Sequence, residues 1–213
     1  MSLRNYVVPD LVRDEVEFLF ILESPHIDEV RHKLPLSGSA GITVTEALKV
    51  SLGLPDDSSP FGLLISQGLV SNKVGIVNAC SIPLQKDAYK QCNIPDAIVP
   101  NLMNDSMFKK MESIRENPKL RKRKTRFATR EEMNRLISRL HHHFKRRIIA
   151  LNLAETVTIV LCGGFAKQVW EECFPDDTKM KICVPHPSMG GWVDPNKVDK
   201  IVALKEALNS NQK

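Results

Sequence analysis

Hydrophobic positions in this chain gather into short continuous runs separated by longer amphipathic stretches. The runs are Val16–Leu22, Val74–Cys80, Val157–Cys162 and Lys181–Val184, the last opening on its lysine. Apolar runs this short, without strict alternation, predict strands buried on both faces of a sheet. Between them the spacing predicts helices over Ile42–Leu52, Leu102–Glu116, Phe165–Cys173 and Asn196–Leu208. A further helix opens at Thr129, with Glu132 three residues on as a capping box. Its Met133, Leu136, Ile137 and Leu140 form one apolar stripe, and it continues through His141-His142-His143 to Leu151. Strands alternating with helices predict an α/β fold, a three-layer α/β/α arrangement around a central, mainly parallel four-stranded sheet.

The stretches between these elements are less regular. Residues 1 to 15 mix polar and apolar positions and read as a short helix or an arm. Pro55-Asp56-Asp57-Ser58-Ser59-Pro60 is a loop by composition, and Pro83 to Pro100 is irregular, with three prolines. Phe61 to Val70 is apolar but broken by Gly62 and Gly68, which leaves it unassigned. Gly163-Gly164 is expected to let the following helix pack closely on its strand. No internal repeat or domain boundary appears, so residues 1–213 read as one domain with a basic helical segment at about 117–150.

Composition narrows the class. An apolar content of 42% and a charged content of 26% are those of an ordinary globule. No stretch approaches the length of a membrane span and no signal-peptide core is present, so the expectation is a cytoplasmic monomer without a membrane partner. Five cysteines without a C-x-x-C pair argue against a disulfide framework, and Cys162 and Cys183, in strand-like runs, are expected in the core. The net charge of +5 is unevenly placed. Lys119–Arg147 holds twelve Lys or Arg against two Glu, leaving eighteen basic and twenty-three acidic residues elsewhere. Such a concentration reads as a phosphate-contacting stripe, centred on Lys122, Arg123 and Lys124, or as a solvated loop. Three consecutive histidines on a helix point in three directions and cannot ligate one ion, so no metal site is expected. With no P-loop and no G-x-G-x-x-G, nucleotide hydrolysis and dinucleotide redox chemistry are not indicated.

The candidate chemistry lies just past strand ends. The first run stops at Glu23-Ser24-Pro25-His26, where Pro25 turns the chain out of the sheet. A second turn, Pro35-Leu36-Ser37-Gly38-Ser39-Ala40-Gly41, opens a helix whose amino end can hold an anion. Polar groups past the carboxyl ends of central strands are where open α/β folds carry their sites. By themselves, Asn78 reads as an amide able to pair with a base or as a turn-closing residue, and His186 as a donor or a loop histidine.

These residues carry a resemblance. L-E-S-P-H … P-L-S-G-S-A-G resembles the first motif of the uracil-DNA glycosylase superfamily, closest to the G-E-A-P-G … P-F-V-G-R-A-G of its iron–sulfur branch. Val74-Gly75-Ile76-Val77-Asn78-Ala79 is similar to the strand ending in that family's base-reading Asn, and His186-Pro187-Ser188 to its H-P-S loop. The resemblance spans about Val16 to Trp192, with no family counterpart for about Pro83 to Glu155.

It implies a DNA glycosylase that flips out a damaged or modified base and hydrolyses its N-glycosidic bond, in repair or in defence against modified foreign DNA. A non-catalytic nucleic-acid-binding protein of the same fold is the alternative. Under the resemblance His186 donates to the base oxygen, and Asn78 reads the base edge. Glu23 stands where the iron–sulfur branch has its Glu, and Ser24 where the uracil-specific enzymes have a water-positioning Asp. The acceptor is thus Glu23, Asp28 or Glu29, or is missing. Pro25, His26 and Leu36 would bound the base; Leu36 replaces a stacking aromatic, which implies a base other than uracil or a larger modified pyrimidine. Ser37, Ser39, Ser188 and Met189 would meet the DNA backbone. The chain lacks the cluster cysteines, so no cofactor is expected.

Overall fold

The computed structural model describes residues 3–54, 56, 58–70, 73–91, 105–119, 128–188, 192–194 and 198–210. Lys122, Arg123, Lys124 and Met189 therefore lie outside the described residues. Four of the apolar runs form strands: β1 (Phe18–Leu22), β2 (Val74–Asn78), β3 (Thr158–Cys162) and β4 (Lys181–Val184). All pairings are parallel and the order is β2-β1-β3-β4. β1 is central, with Leu22 opposite Asn78 and Ile21 opposite both Val77 and Leu161.

Eight helices complete the described fold: α1 (Ile27–His32), α2 (Ser39–Leu52), α3 (Phe61–Ser66), α4 (Lys86–Gln91), α5 (Asp105–Glu116), α6 (Arg130–Ala150), α7 (Gly163–Cys173) and α8 (Val202–Ser210). Alternate strand positions point to opposite faces and sort the core into two layers. Leu19, Ile21, Val77, Ile159 and Leu161 pack with Phe108 of α5, Ile137 and Phe144 of α6, and Trp170 of α7. Phe18, Phe20, Leu22, Ile76 and Val160 pack with Leu48 of α2, Phe61 of α3 and Leu204 of α8. The result is a three-layer α/β/α domain with an all-parallel sheet. No helix among the described residues is long and apolar enough to cross a membrane.

Several expectations need amendment. Phe61–Ser66 is helical despite Gly62, and the glycine is needed there because an added Cβ would stand 1.8 Å from the Pro35 carbonyl oxygen. Within Pro83–Pro100, residues Lys86–Gln91 form a helix. Asp28 and Glu29 belong to α1 and not to a loop. α2 starts three residues before Ile42, and the final helix is a 3-10 turn, Val198–Ile201, followed by α8. Cys162 is buried, but Cys183 is exposed: β4 is an edge strand with alternating burial, and Cys183 points out of its open face.

The capping box at Thr129 forms as expected, Thr129 Oγ1 accepting from Glu132 N at 3.2 Å and Glu132 Oε2 from Thr129 N at 2.9 Å. The amino-terminal segment is a short 3-10 helix followed by an arm, whose Leu11 bridges antiparallel to Ile76 and covers the outer edge of β2. Arg147, counted above with the basic stripe, turns inward: it pairs with Asp10 of that arm at 2.6 Å and is 23% exposed.

Candidate functional site

Successive carboxyl strand ends deliver the candidate residues to one place. β1 ends at Leu22, so Glu23 and Ser24 emerge in the centre of the sheet, and Asn78 closes β2 beside them. β4 delivers Pro185-His186-Pro187-Ser188 from the far side. These segments meet the first turn of α2 around a cleft of about 340 Å³. Glu23, Ser24, His26, Leu36, Ser39, Asn78, His186 and Ser188 all line it. Asp28, Glu29, Gln85 and Arg115 join them.

The His186 loop is held in three ways. Two prolines flank it, and the buried Trp192 donates its indole N–H to the Pro185 carbonyl at 2.7 Å. Gly163 clears the space beneath it: at a φ of +91°, its missing Cβ would stand 3.0 Å from the His186 Cβ. Gly163 therefore serves the His186 loop, while a Cβ on Gly164 would meet nothing, so the expected close helix–strand approach has a different cause. His186 Nδ1 accepts the Ser188 backbone N–H at 3.2 Å and lies 2.8 Å from Ser188 Oγ. A backbone N–H can only donate, so the neutral ring carries its proton on Nε2. Burial holds the imidazole below its ordinary pKa of 6.5, with Glu23 opposing and Arg115 assisting. The side chain is thus a neutral donor, with Ser188, the residue expected on a phosphate, set against its Nδ1.

Asn78 is 2% exposed, and neither its side-chain oxygen nor its nitrogen has a hydrogen-bond partner. Its amide lies within electrostatic reach of Glu29, outside hydrogen-bonding geometry. An unpaired buried amide carries a desolvation penalty of about 1–3 kcal/mol, so its orientation into a cleft marks a place for a ligand edge. Arg147 fixes the strand end behind it, donating to the Asn78 and Ala79 carbonyls.

The three carboxylates are engaged to different degrees. Glu29 accepts His26 N through Oε2 and Leu36 N through Oε1, both at 2.8 Å. Burial raises its pKa, and the two N–H donors, with the nearby Asn78 amide, oppose the rise. Glu23 Oε1 accepts Arg115 Nε at 2.5 Å. Asp28 pairs with Arg31 through Oδ1, while its Oδ2 stands 3.0 Å from the position a Cβ on Gly38 would take.

Leu36 forms part of the apolar wall, 2% exposed, at a φ of +51° that a side-chain-bearing residue seldom adopts. Its N–H goes to Glu29 and its carbonyl accepts Gly62 N at 3.1 Å. Gly41 lets that carbonyl come within 1.9 Å of where its own Cβ would be. Ser39 opens α2 on the cleft wall, and the helix has no side-chain cap at Gly38, so its amino end faces the cleft. Two expected contacts are not at the cleft surface. Ser37 is 4% exposed with its hydroxyl unpartnered, and Pro25 is buried behind the lining.

Arg115 and Gln85 were not legible as site residues. Arg115 is separated from Glu23 by 92 positions and nothing around it in sequence marks it. No group of His, Cys, Asp and Glu suited to a metal ion occurs among the described residues. His141 is half-buried, its pKa lowered by burial, whereas His142 and His143 are exposed. Compared with family models and with curated proteins, the chain has no match.

Proposed function

We propose that this protein is a glycosylase of the uracil-DNA glycosylase type that hydrolyses the N-glycosidic bond of a flipped-out base in DNA. The observation that carries the reading is Asn78, a buried amide near Glu29 with no hydrogen bond in good geometry on either side-chain atom, in one cleft with the neutral Nε2–H of His186. The two are the groups that the motif resemblance assigns to reading a base edge and to its carbonyl oxygen.

Breaking the bond between a base and C1′ places positive charge on the sugar and negative charge on the base. His186 donates from Nε2 to the base oxygen as that charge grows, and a fixed donor is strongest when needed if it is already aimed. Asn78 presents its carbonyl and NH₂ to the base edge. A water adds its oxygen to C1′, and its proton passes to an acceptor while the base leaves with the bonding pair. Glu29 has both oxygens on backbone N–H groups, whereas Glu23 and Asp28 are each paired through one oxygen only, so Glu23 Oε2 and Asp28 Oδ2 are the carboxylate oxygens left for that water. Leu36 supplies an apolar wall without an aromatic face, which favours a base other than uracil, including larger modified pyrimidines.

A non-catalytic binder is favoured by one observation: Ser24 stands in place of the water-positioning Asp, and its hydroxyl is buried without a partner. Incubation with genomic and base-modified DNA, with released bases and abasic sites read by mass spectrometry, decides between the readings. Release of a free base supports the enzyme; binding of the same DNA with no release supports the binder.

A further inference from the structure

Arg115 stands at the end of α5, in the part of the chain for which the motif resemblance offers no counterpart. Only its Nε is used: it donates to Glu23 Oε1, and no hydrogen bond engages its Nη1 or Nη2 among the described residues. Its side chain is 45% exposed over a Glu23 that is 14% exposed. The carboxylate therefore acts as a buttress, holding the guanidinium by one edge and leaving the other edge open at the cleft.

A guanidinium fork matches two oxygens of a tetrahedral anion, and anchoring one edge removes much of the rotamer freedom that binding would otherwise take away. The open edge shares the cleft with Ser39, Asn78 and Ser188, so an anion held there lies next to whatever Asn78 reads. A free base or nucleoside has no such anion; a nucleotide within a strand has one on each side.

We propose that Arg115, braced by Glu23, grips a phosphodiester flanking the nucleotide inserted in the cleft, so that the protein takes its substrate as part of a strand. The proposal rests on the glycosylase reading for the identity of the inserted nucleotide. It makes Arg115 a binding residue and Glu23 a positioning residue. It also places a DNA contact inside the site itself.

The test uses the full-length protein and duplexes carrying one abasic-site analogue, with each nearby phosphate replaced in turn by an uncharged methylphosphonate. Affinity is read by fluorescence anisotropy over a range of salt. Arg115→Gln should weaken binding about 10- to 100-fold, as for loss of a charge-assisted contact, and reduce the salt slope by about one unit. Wild type should lose a similar factor at one flanking linkage, and Arg115→Gln should be indifferent to that substitution, the sign of a direct coupling. Arg115→Lys should retain the slope and recover part of the affinity. Arg115→Lys keeps a cation beside the largely buried Glu23 and should unfold at the wild-type temperature, whereas Arg115→Gln removes it, so affinities are compared at a temperature where urea titration shows every variant folded.

An Arg115→Gln protein that binds with wild-type affinity and slope overturns the proposal, as does one that stays sensitive to every linkage to which wild type is sensitive. A mononucleotide that competes as well as the duplex overturns the strand requirement. If Arg115→Gln shows the expected coupling and wild type releases no base from any DNA, the phosphate grip stands and the glycosylase reading fails. If wild type releases a base and Arg115→Gln binds unchanged, the reverse holds.

Discussion

Replacing Gly163 by alanine should damage a site that this residue does not line. Gly163 combines a φ of +91° with a Cβ position 3.0 Å from the His186 Cβ. The backbone conformation alone should cost about 1–3 kcal/mol for a residue with a side chain. Two carbons prefer a separation of about 3.5–4.0 Å, so the added methyl must push the His186 loop away by about 0.5–1 Å. A displacement of about 1 Å at a reacting group can cost on the order of 10²-fold in rate. Gly163→Ala should therefore lower stability by about 1–3 kcal/mol and the single-turnover rate of base release by tens of fold or more. Gly164→Ala is the matched control: its Cβ meets nothing, so stability should hold or rise by up to about 1 kcal/mol, with the rate unchanged. Urea denaturation and rapid-quench base release on both variants supply the comparison. A Gly163→Ala protein with wild-type stability and wild-type rate would refute the role given to this glycine.

Two further expectations concern the support behind the site. Arg147→Met should destabilise the fold by about 2–4 kcal/mol, somewhat below the range for breaking a fully buried ion pair, since both partners keep some exposure. It leaves the Asn78 and Ala79 carbonyls without their donor and Asp10, whose pKa burial already raises against Arg147's pull, without its cation. A loss under about 1 kcal/mol in urea titration, the scale of a surface pair, would contradict this. Stability should also fall as the pH drops below about 6.5. His141 and His186 have folded pKa values below that ordinary value, mainly through burial, so between the two values the unfolded chain binds more protons than the folded one. Because the raised Asp10 and Glu29 carboxyls act in the opposite sense, the His contribution is isolated by NMR titration of the two rings, and protonation at or above pH 6.5 would speak against buried neutral imidazoles.

The parallel sheet was largely legible because a strand buried on both faces is apolar along most of its length, as Phe18–Leu22 is throughout and Val74–Asn78 and Thr158–Cys162 are apart from one polar end residue each. Cys183 misled because burial of an edge strand depends on what covers its open face, which the run itself does not contain. α3 was hidden by Gly62, a residue that disfavours helices locally and is required here by the carbonyl of Pro35, which lies before α2 in the chain. Asn78 and His186 could be picked out because each closes an apolar run with a polar group. Arg115 could not, since its role follows from where α5 lies and not from its neighbours in sequence. Of the three carboxylates, the sequence placed all near the same turn. Only the geometry shows Glu29 on two backbone N–H groups, Glu23 under a guanidinium and Asp28 with an open oxygen.

The central claim is that His186 stabilises charge on a departing base, and single-turnover base release from modified DNA at saturating protein tests it most directly. Loss of one such donor typically lowers the rate by about 10²–10³. His186→Ala should show that drop while its DNA affinity stays within a few-fold of wild type, because the interaction is made mainly in the transition state. Wild-type protein that binds the DNA and releases no base, or a His186→Ala variant that loses affinity with no change in rate, would contradict it.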